Sequence, residues 1–220
     1  MLILEKKDRE RVKGLYQSYN EVVKPLLIEV EVRSGKISHA LQNEIRAFND
    51  HIARCYYDCS IDLNDPEMKH KEIERQKKEI DKAEGHIRRL ILDCFKQLNA
   101  SLSDTVKRYE KKMKYMDPLK MGSGTEWTSY RDLKRYAVKA VFTAKIEESK
   151  DTEKSMKLFE ESYLQYRKLE ILFDRQAGHI RKERFKAALV FASRCVLWLF
   201  LVILAAILSA LMADGLQALF

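Results

Sequence analysis

The sequence is poor in the residues that interrupt helices. Its 220 residues include only three Pro and seven Gly, whereas 34% are charged and 46% are hydrophobic. Helix formers with so few breakers favour long helices and exclude a sheet-rich fold. We therefore expect an all-α protein.

Cysteine is also scarce, and a leader segment is not expected. Four Cys, at positions 55, 59, 94 and 195, are too few to form a disulfide framework in a chain of this length. The first residues, MLILEKKDRERVK, become charged after four positions, so no apolar signal core is expected there. Both features predict a reducing compartment.

Common cofactor motifs are missing. The segment Met121–Thr125 is glycine-rich but lacks the lysine of a phosphate loop, and the five His form no HExxH pattern. His51, Cys55 and Cys59 lie along one edge of a predicted helix and could bind zinc together with Cys94. The same cysteines also continue an apolar stripe, where Cys acts as a small core residue. We expect neither a metal nor another cofactor.

The net charge of +8 does not by itself predict a nucleic-acid surface. Its lysines and arginines alternate with acids, as in KHKEIERQKKEIDK at 69–82. Such alternation is typical of a solvated helix face and not of a stripe that binds phosphates. DNA is therefore not an expected partner.

One long apolar run stands near the C-terminus, at Ala187–Ala213. Its only charged residue is Arg194, and the residues from Cys195 to Ala213 are uncharged. About 20 helical residues cross a bilayer core, so this run predicts one transmembrane helix. Arg194 can extend to the headgroups, and Trp198 lies near an interfacial position.

The flanks of this run predict its orientation. Only Asp214 is charged in the tail 214–220, whereas the preceding residues include Arg175, Arg181, Lys182, Arg184 and Lys186. The positive-inside rule then keeps residues 1–186 in the cytoplasm. We expect a single-pass, tail-anchored protein with membrane lipid as a partner.

Small residues recur along the apolar run. They allow helix backbones to approach closely in lipid, which favours a homo-oligomer. The two stripes are Ala205, Ser209 and Ala213, and Ala206 and Ala210.

The polar part, residues 1–186, reads as an antiparallel bundle of four to five helices. Pro25 is expected to kink the first helix or to mark a junction in it. Asp65 and Asp151 are expected to begin later helices, and Asn99–Ser103 to break the third. The last helix is expected to continue into the membrane run. The predicted helices cover about 3–32, 36–59, 66–98 with an extension to 116, 126–149 and 152–213.

One segment of the second predicted helix has a recognisable pattern. In EIRAFNDHIAR, at 44–54, Arg46 is followed by four residues and then His51. This segment resembles the signature of the HEPN superfamily of helical bundles, whose catalytic members cut RNA without metal. The resemblance implies that His51 transfers a proton and Arg46 neutralises a phosphate, while Asn49 and Asp50 orient them. Ala47 departs from the polar residue usual after the Arg, which weighs against RNA cleavage.

A HEPN-like bundle joined to one membrane helix also resembles the membrane accessory proteins of type VI-B CRISPR systems. That resemblance implies an oligomeric effector in a bacterial inner membrane. Such an effector acts in anti-phage defence, beside an RNA-guided nuclease, by forming a pore or perturbing the bilayer. Two alternatives stay open: a membrane-tethered HEPN ribonuclease, and an adaptor whose heptad stretch at 73–98 recruits a partner helix.

Overall fold

The computed structural model describes residues 4–56, 65–113 and 125–217, with only the helical backbone for residues 125 and 210–217. All secondary structure in these ranges is helical, as predicted. The first three elements are continuous, so the described residues form five helices. The elements are α1 (Lys6–Ser18), a π-helical segment (Tyr19–Val23), α2 (Lys24–Ser34), α3 (His39–Cys55), α4 (Pro66–Met113), α5 (Thr125–Glu147) and α6 (Thr152–Gln217).

The π-helical segment explains how the first helix passes a proline. Pro25 has no N–H and its ring would clash with the carbonyl one α-turn earlier. The wider turn directly before it lets Lys24 N–H bond to Tyr19 O, five residues back. A π-helical segment therefore lies where the sequence predicts a kink.

Three of the predicted helix boundaries are confirmed by capping groups, whereas the second helix is shorter than the predicted 36–59 and spans His39–Cys55. Gly35 ends α2 with φ 75°, a conformation that favours glycine. The Asp65 carboxylate accepts a 2.9 Å bond from Glu67 N, and the Asp151 carboxylate accepts one of 2.9 Å from Lys154 N. These bonds satisfy free amide groups in the first turns of α4 and α6.

The predicted break at Asn99–Ser103 is wrong, because α4 runs unbroken through it. The Asn99 side-chain amide donates 2.8 Å bonds to Phe95 O in its own helix and to Phe159 O in α6. Leu98 and Leu102 are fully buried on either side. The contact with α6 therefore holds Asn99 within a helix, although asparagine by itself favours turns.

The chain divides into two compact units. The first contains the described residues of Met1–Val106 and Leu133–Leu169, and the second those of Lys107–Asp132 and Glu170–Phe220. The predicted division at residue 187 is between a part in water and a part in the membrane. The two compact units are defined by contacts within the chain, so they do not test that division. It stays a prediction.

The core of the first unit follows the predicted heptads. Ile80, Ile87 and Cys94 in α4 are buried at seven-residue intervals. Phe48 of α3 is fully buried and stacks on Tyr19 with ring centroids 5.7 Å apart. Apolar contacts therefore join α1, α2, α3 and α4 in one cluster.

Helices α5 and α6 approach closely in the first unit because small residues face each other. Ala137 and Ala144 of α5 are fully buried, as are Ser155 and Ser162 of α6. The Ser155 hydroxyl donates to Ala144 O at 2.8 Å, and the Ser162 hydroxyl donates to Ala137 O at 3.0 Å. This order of pairing makes the two helices antiparallel.

The second unit is organised around aromatic rings. Phe173 of α6 stacks on Tyr109 at 4.6 Å and meets Tyr130 edge-on at 5.6 Å. The Tyr109 hydroxyl donates to Asp174 at 2.9 Å. Burial, with this carboxylate nearby, raises the pKa of Tyr109.

Candidate functional site: an apolar helix and a histidine–carboxylate cluster

The C-terminal part of α6 exposes its apolar side chains. Between Leu189 and Leu208, fourteen large apolar side chains are 42–71% exposed, with Phe191 at the upper limit. This helix is the one among the described residues that is long and apolar enough to cross a membrane, and none of its apolar window is buried. A core helix of a soluble protein would be covered by its own chain.

The predicted membrane residues share this exposure. Arg194 and Trp198 are exposed, as are Ala205, Ala206 and Ser209. Ala210 and Ala213 belong to the same helix, and their side chains lie outside the described part. Residues four apart share a helix face, so both small-residue stripes stand on open faces as far as Ser209.

A group of basic residues precedes the apolar part. Arg181, Lys182 and Arg184 are exposed, and no ion pair joins them to other described residues. Lys186 instead bonds to Glu183 at 2.6 Å. The last turns before the apolar run therefore carry excess positive charge.

The residues of the HEPN-like segment separate around α3. Arg46, Asn49 and Asp50 are exposed, whereas His51 is largely buried against α4. Five residues correspond to about 140° around a helix, so Arg46 and His51 lie on different faces. Asn49 bonds to Ile45 O in its own helix at 3.0 Å. The structure does not bring the four together within one chain, and their catalytic role stays a prediction.

Instead, His51 belongs to a cluster between α3 and α4. Its Nδ1 lies 2.7 Å from the Glu79 carboxylate, and His86 Nδ1 lies 2.7 Å from the Glu44 carboxylate. The two imidazole rings stack with centroids 5.1 Å apart. We call these four residues the His–Glu cluster. Each helix supplies one histidine and one glutamate, so two reciprocal pairs connect the antiparallel helices α3 and α4.

A sequence pattern that is repeated in α3 and α4 predicts this cluster, and it differs from the HEPN-like pattern. Residues 44–51 read EIRAFNDH and residues 79–86 read EIDKAEGH, so each helix has Glu-Ile and then His seven residues after the Glu. Positions seven apart share one face of a helix. Two antiparallel copies of the pattern therefore place each Glu opposite the other copy's His. Only the first copy was predicted to be functional, and Glu79 and His86 were not among the predicted site residues.

Both carboxylates of the cluster are held in the ionised form. Burial alone would raise the pKa of Glu79, but hydrogen bonds from Lys82 and His51 outweigh it and lower that pKa. Burial alone would also raise the pKa of Glu44, but hydrogen bonds from His86 and Arg89 outweigh it and lower that pKa. The arrangement can orient an imidazole through a carboxylate, as in acid–base sites, and it also ties α3 to α4.

Metal binding has no geometric basis among the described residues, where no three His, Cys, Asp or Glu side chains converge on one point. Cys55 and Cys94 are buried free thiols, and Cys59 lies outside the described residues. Burial raises the pKa of Cys55 to about 11 and that of Cys94 to about 12.

Comparisons with protein-family models, with curated proteins and with solved structures gave no match to this chain. The function must therefore be argued from the residues themselves.

Proposed function

We propose that this chain is a single-pass membrane effector, in which a cytoplasmic helical bundle controls an oligomer of membrane helices. One observation carries the proposal: the apolar part of α6 is uncovered by the described part of its own chain. Fourteen large side chains about half exposed to water represent on the order of 10 kcal/mol of unsatisfied burial. That amount is comparable to the whole stability of a domain, so the helix needs an apolar environment.

A bilayer fits this requirement better than a soluble partner. The apolar residues occupy every face of the helix, whereas a partner protein would cover one stripe. The exposed bases Arg181, Lys182 and Arg184 favour the cytoplasmic side for the bundle. They also suit the anionic headgroups of that leaflet.

Association of several copies is the next step of the proposal. Ala205, Ala206 and Ser209 are exposed and small, which favours close helix packing in lipid. Arg194 has no ion-pair partner among the described residues and lies near the N-terminal end of the apolar run. Several copies would place a ring of arginines at the mouth of the assembly. A role in anti-phage defence rests on the stated resemblance to CRISPR accessory proteins alone.

Membrane insertion is tested with Leu201→Arg, which places a charge mid-span. Insertion scales assign about 2.5–3.5 kcal/mol to such a residue, so the variant should shift from the carbonate-resistant membrane fraction to the soluble or aggregated fraction. Leu164→Arg is the matched control, because Leu164 is also about half exposed but lies in the first unit. A wild-type chain that carbonate removes from membranes would overturn the proposal.

Assembly and effect are tested separately. The mass of the detergent-solubilised chain should correspond to a discrete oligomer, and reconstituted vesicles should leak a small dye. Arg194→Leu should alter the leak while leaving insertion intact. A monomeric mass would exclude the effector function even if insertion is confirmed.

A metal-independent ribonuclease is the second candidate, favoured by the carboxylate-oriented imidazole of His51. Loss of RNA cleavage in both His51→Ala and Glu79→Gln, with cleavage retained in His39→Ala, would support it. His39 is an exposed histidine at the start of the same helix. Equal behaviour of all three variants and the wild type would dismiss this candidate.

A further inference from the structure

The outward face of α5 in the first unit combines apolar and basic side chains. Val138, Phe142 and Ile146 are 50%, 66% and 46% exposed at four-residue intervals. Lys139 and Lys145 flank Phe142 and make no ion pair with a described residue. Within about 60° of Phe142 on the helical wheel there is no acidic residue. We call this the α5 face: Arg135, Val138, Lys139, Phe142, Lys145 and Ile146.

A second apolar face lies on the first helix. Val32 is 78% exposed, the highest value for a large apolar side chain in the described part of the chain, and Ile28 is 53% exposed. They are four residues apart and so share one side of α2. Their charged neighbours include two acids and one base. The α2 face consists of Lys24, Ile28, Glu31 and Val32 of α2, together with Glu21 of the preceding π-helical segment.

Helix α6 contacts both α2 and α5 in the first unit. On one side, the Tyr163 hydroxyl donates to Glu29 of α2 at 2.6 Å. On another, Ser162 bonds to Ala137 of α5. The α2 and α5 faces therefore belong to two different helices of the same unit. Each would be left in water by the isolated chain.

We propose that the α5 face of one copy packs against the α2 face of the next. Apolar ridges with four-residue spacing fit each other's grooves, and Lys139 and Lys145 would meet Glu21 and Glu31. An anionic lipid surface would suit the α5 face alone and leave the α2 face uncovered. A second copy covers both.

Such a contact is heterologous, because two different patches meet. Repeated around an axis it closes a ring of more than two copies, and without closure it forms a filament. This inference rests on the proposed membrane location. Copies confined to one membrane gain effective concentration, so a contact of few residues suffices.

The test exchanges the charges of each face in the full chain. One variant carries Lys139→Glu and Lys145→Glu, and the other carries Glu21→Lys and Glu31→Lys. In detergent, each variant alone should associate about tenfold more weakly than the parent, because like charges then face each other. An equimolar mixture should reassociate, since contacts between the two variants restore the opposite-charge pairing.

The control is Lys13→Glu with Lys71→Glu, on exposed positions of α1 and α4. It should leave the oligomer unchanged. Helical content and carbonate resistance of all variants should match the parent, which separates loss of this contact from failure to fold or insert. Parental assembly of each variant alone, or a mixture that stays dispersed, would overturn the inference. Loss of binding to anionic vesicles without a change in mass would assign the α5 face to lipid.

Discussion

The two parts of α6 show how one helix meets two environments. In residues 152–180, buried side chains recur at intervals of three, four or seven, and most of the exposed positions between them are polar. In residues 187–209, almost every side chain is apolar and the helix is exposed, apart from a half-buried Ala187. Phe159 and Phe173 are at most 2% exposed, whereas Phe191 and Phe200 are 71% and 61% exposed.

Periodicity, more than hydrophobic content, therefore decides what a helix packs against. A stripe of apolar residues is satisfied by a neighbouring helix of the same protein. A helix that is apolar on all sides needs a surrounding apolar medium. If that interpretation is right, equivalent substitutions in the two parts should have different consequences.

The largest contrast is expected between Phe159→Ala and Phe200→Ala. Truncating the buried Phe159 leaves a cavity in the cluster of α4, α5 and α6, with a loss of about 3–5 kcal/mol in the free energy of unfolding. Phe200→Ala should change bundle stability by less than about 0.5 kcal/mol. Denaturant unfolding in a mild detergent, followed by tyrosine and tryptophan fluorescence, measures both. Equal losses would mean that residues 187–209 pack on the bundle.

Much of this division was predictable from the sequence. Two features are visible in short stretches of the sequence. One is the seven-residue spacing of Phe159, Tyr166 and Phe173, and the other is the unbroken apolar run after Ala187. The caps Asp65 and Asp151 likewise follow from short-range hydrogen bonding. The π-helical segment before Pro25 was not predicted, because several ways of relieving a proline clash have similar cost.

The tertiary contacts were harder to predict. The continuity of α4 through Asn99 depends on Phe159 O, sixty residues away. The His–Glu cluster depends on α3 and α4 packing antiparallel in one register, which puts Glu79 beside His51. A motif search around a single histidine does not contain that information. Local patterns predict which face of a helix is buried, but tertiary packing decides which residues that face contacts.

A serine pair gives the next contrast. Ser162 is fully buried and bonds to Ala137 O, whereas Ser209 is exposed in the apolar part. Ser162→Val removes the hydrogen bond and adds a methyl group between α5 and α6, so we expect a loss of about 1–3 kcal/mol in unfolding free energy. Ser209→Val should leave unfolding unchanged and weaken self-association in lipid. Thermal unfolding and detergent-phase mass would distinguish the two, and a stable Ser162→Val variant would contradict the close packing.

Acidity should affect the bundle and spare the membrane run. The pKa values of Glu44, Glu72 and Glu79 are lowered in the folded state. A group with a lowered folded pKa contributes stability above its unfolded pKa and loses it as the pH falls through the folded value. Unfolding free energy should therefore decrease as the pH drops below the usual glutamate range.

The size of this effect is about 1–3 kcal/mol for the His–Glu cluster, the usual contribution of charged hydrogen bonds. Glu79→Gln should flatten the acid branch of the pH profile, with the exposed Glu74→Gln as control. Carbonate-resistant membrane association should not follow the same curve, because residues 187–209 contain no carboxylate. A parallel loss of both would mean that insertion depends on the folded bundle.

The smallest contrast concerns thiol reactivity and involves no change in stability. Maleimide reacts with the thiolate, and burial raises the pKa of Cys94 to about 12, so this residue should stay unlabelled at pH 7 in the folded chain.

Cys195 is exposed at the start of the uncharged run. In a Cys59→Ser background, a small apolar maleimide should label Cys195 in detergent, whereas a charged maleimide should react poorly with it in vesicles. Denaturant should then release Cys55 and Cys94 together. If the charged reagent labels Cys195 equally fast in vesicles and in detergent, water reaches that position of the assembled protein. The membrane run would then begin after Cys195, closer to Trp198.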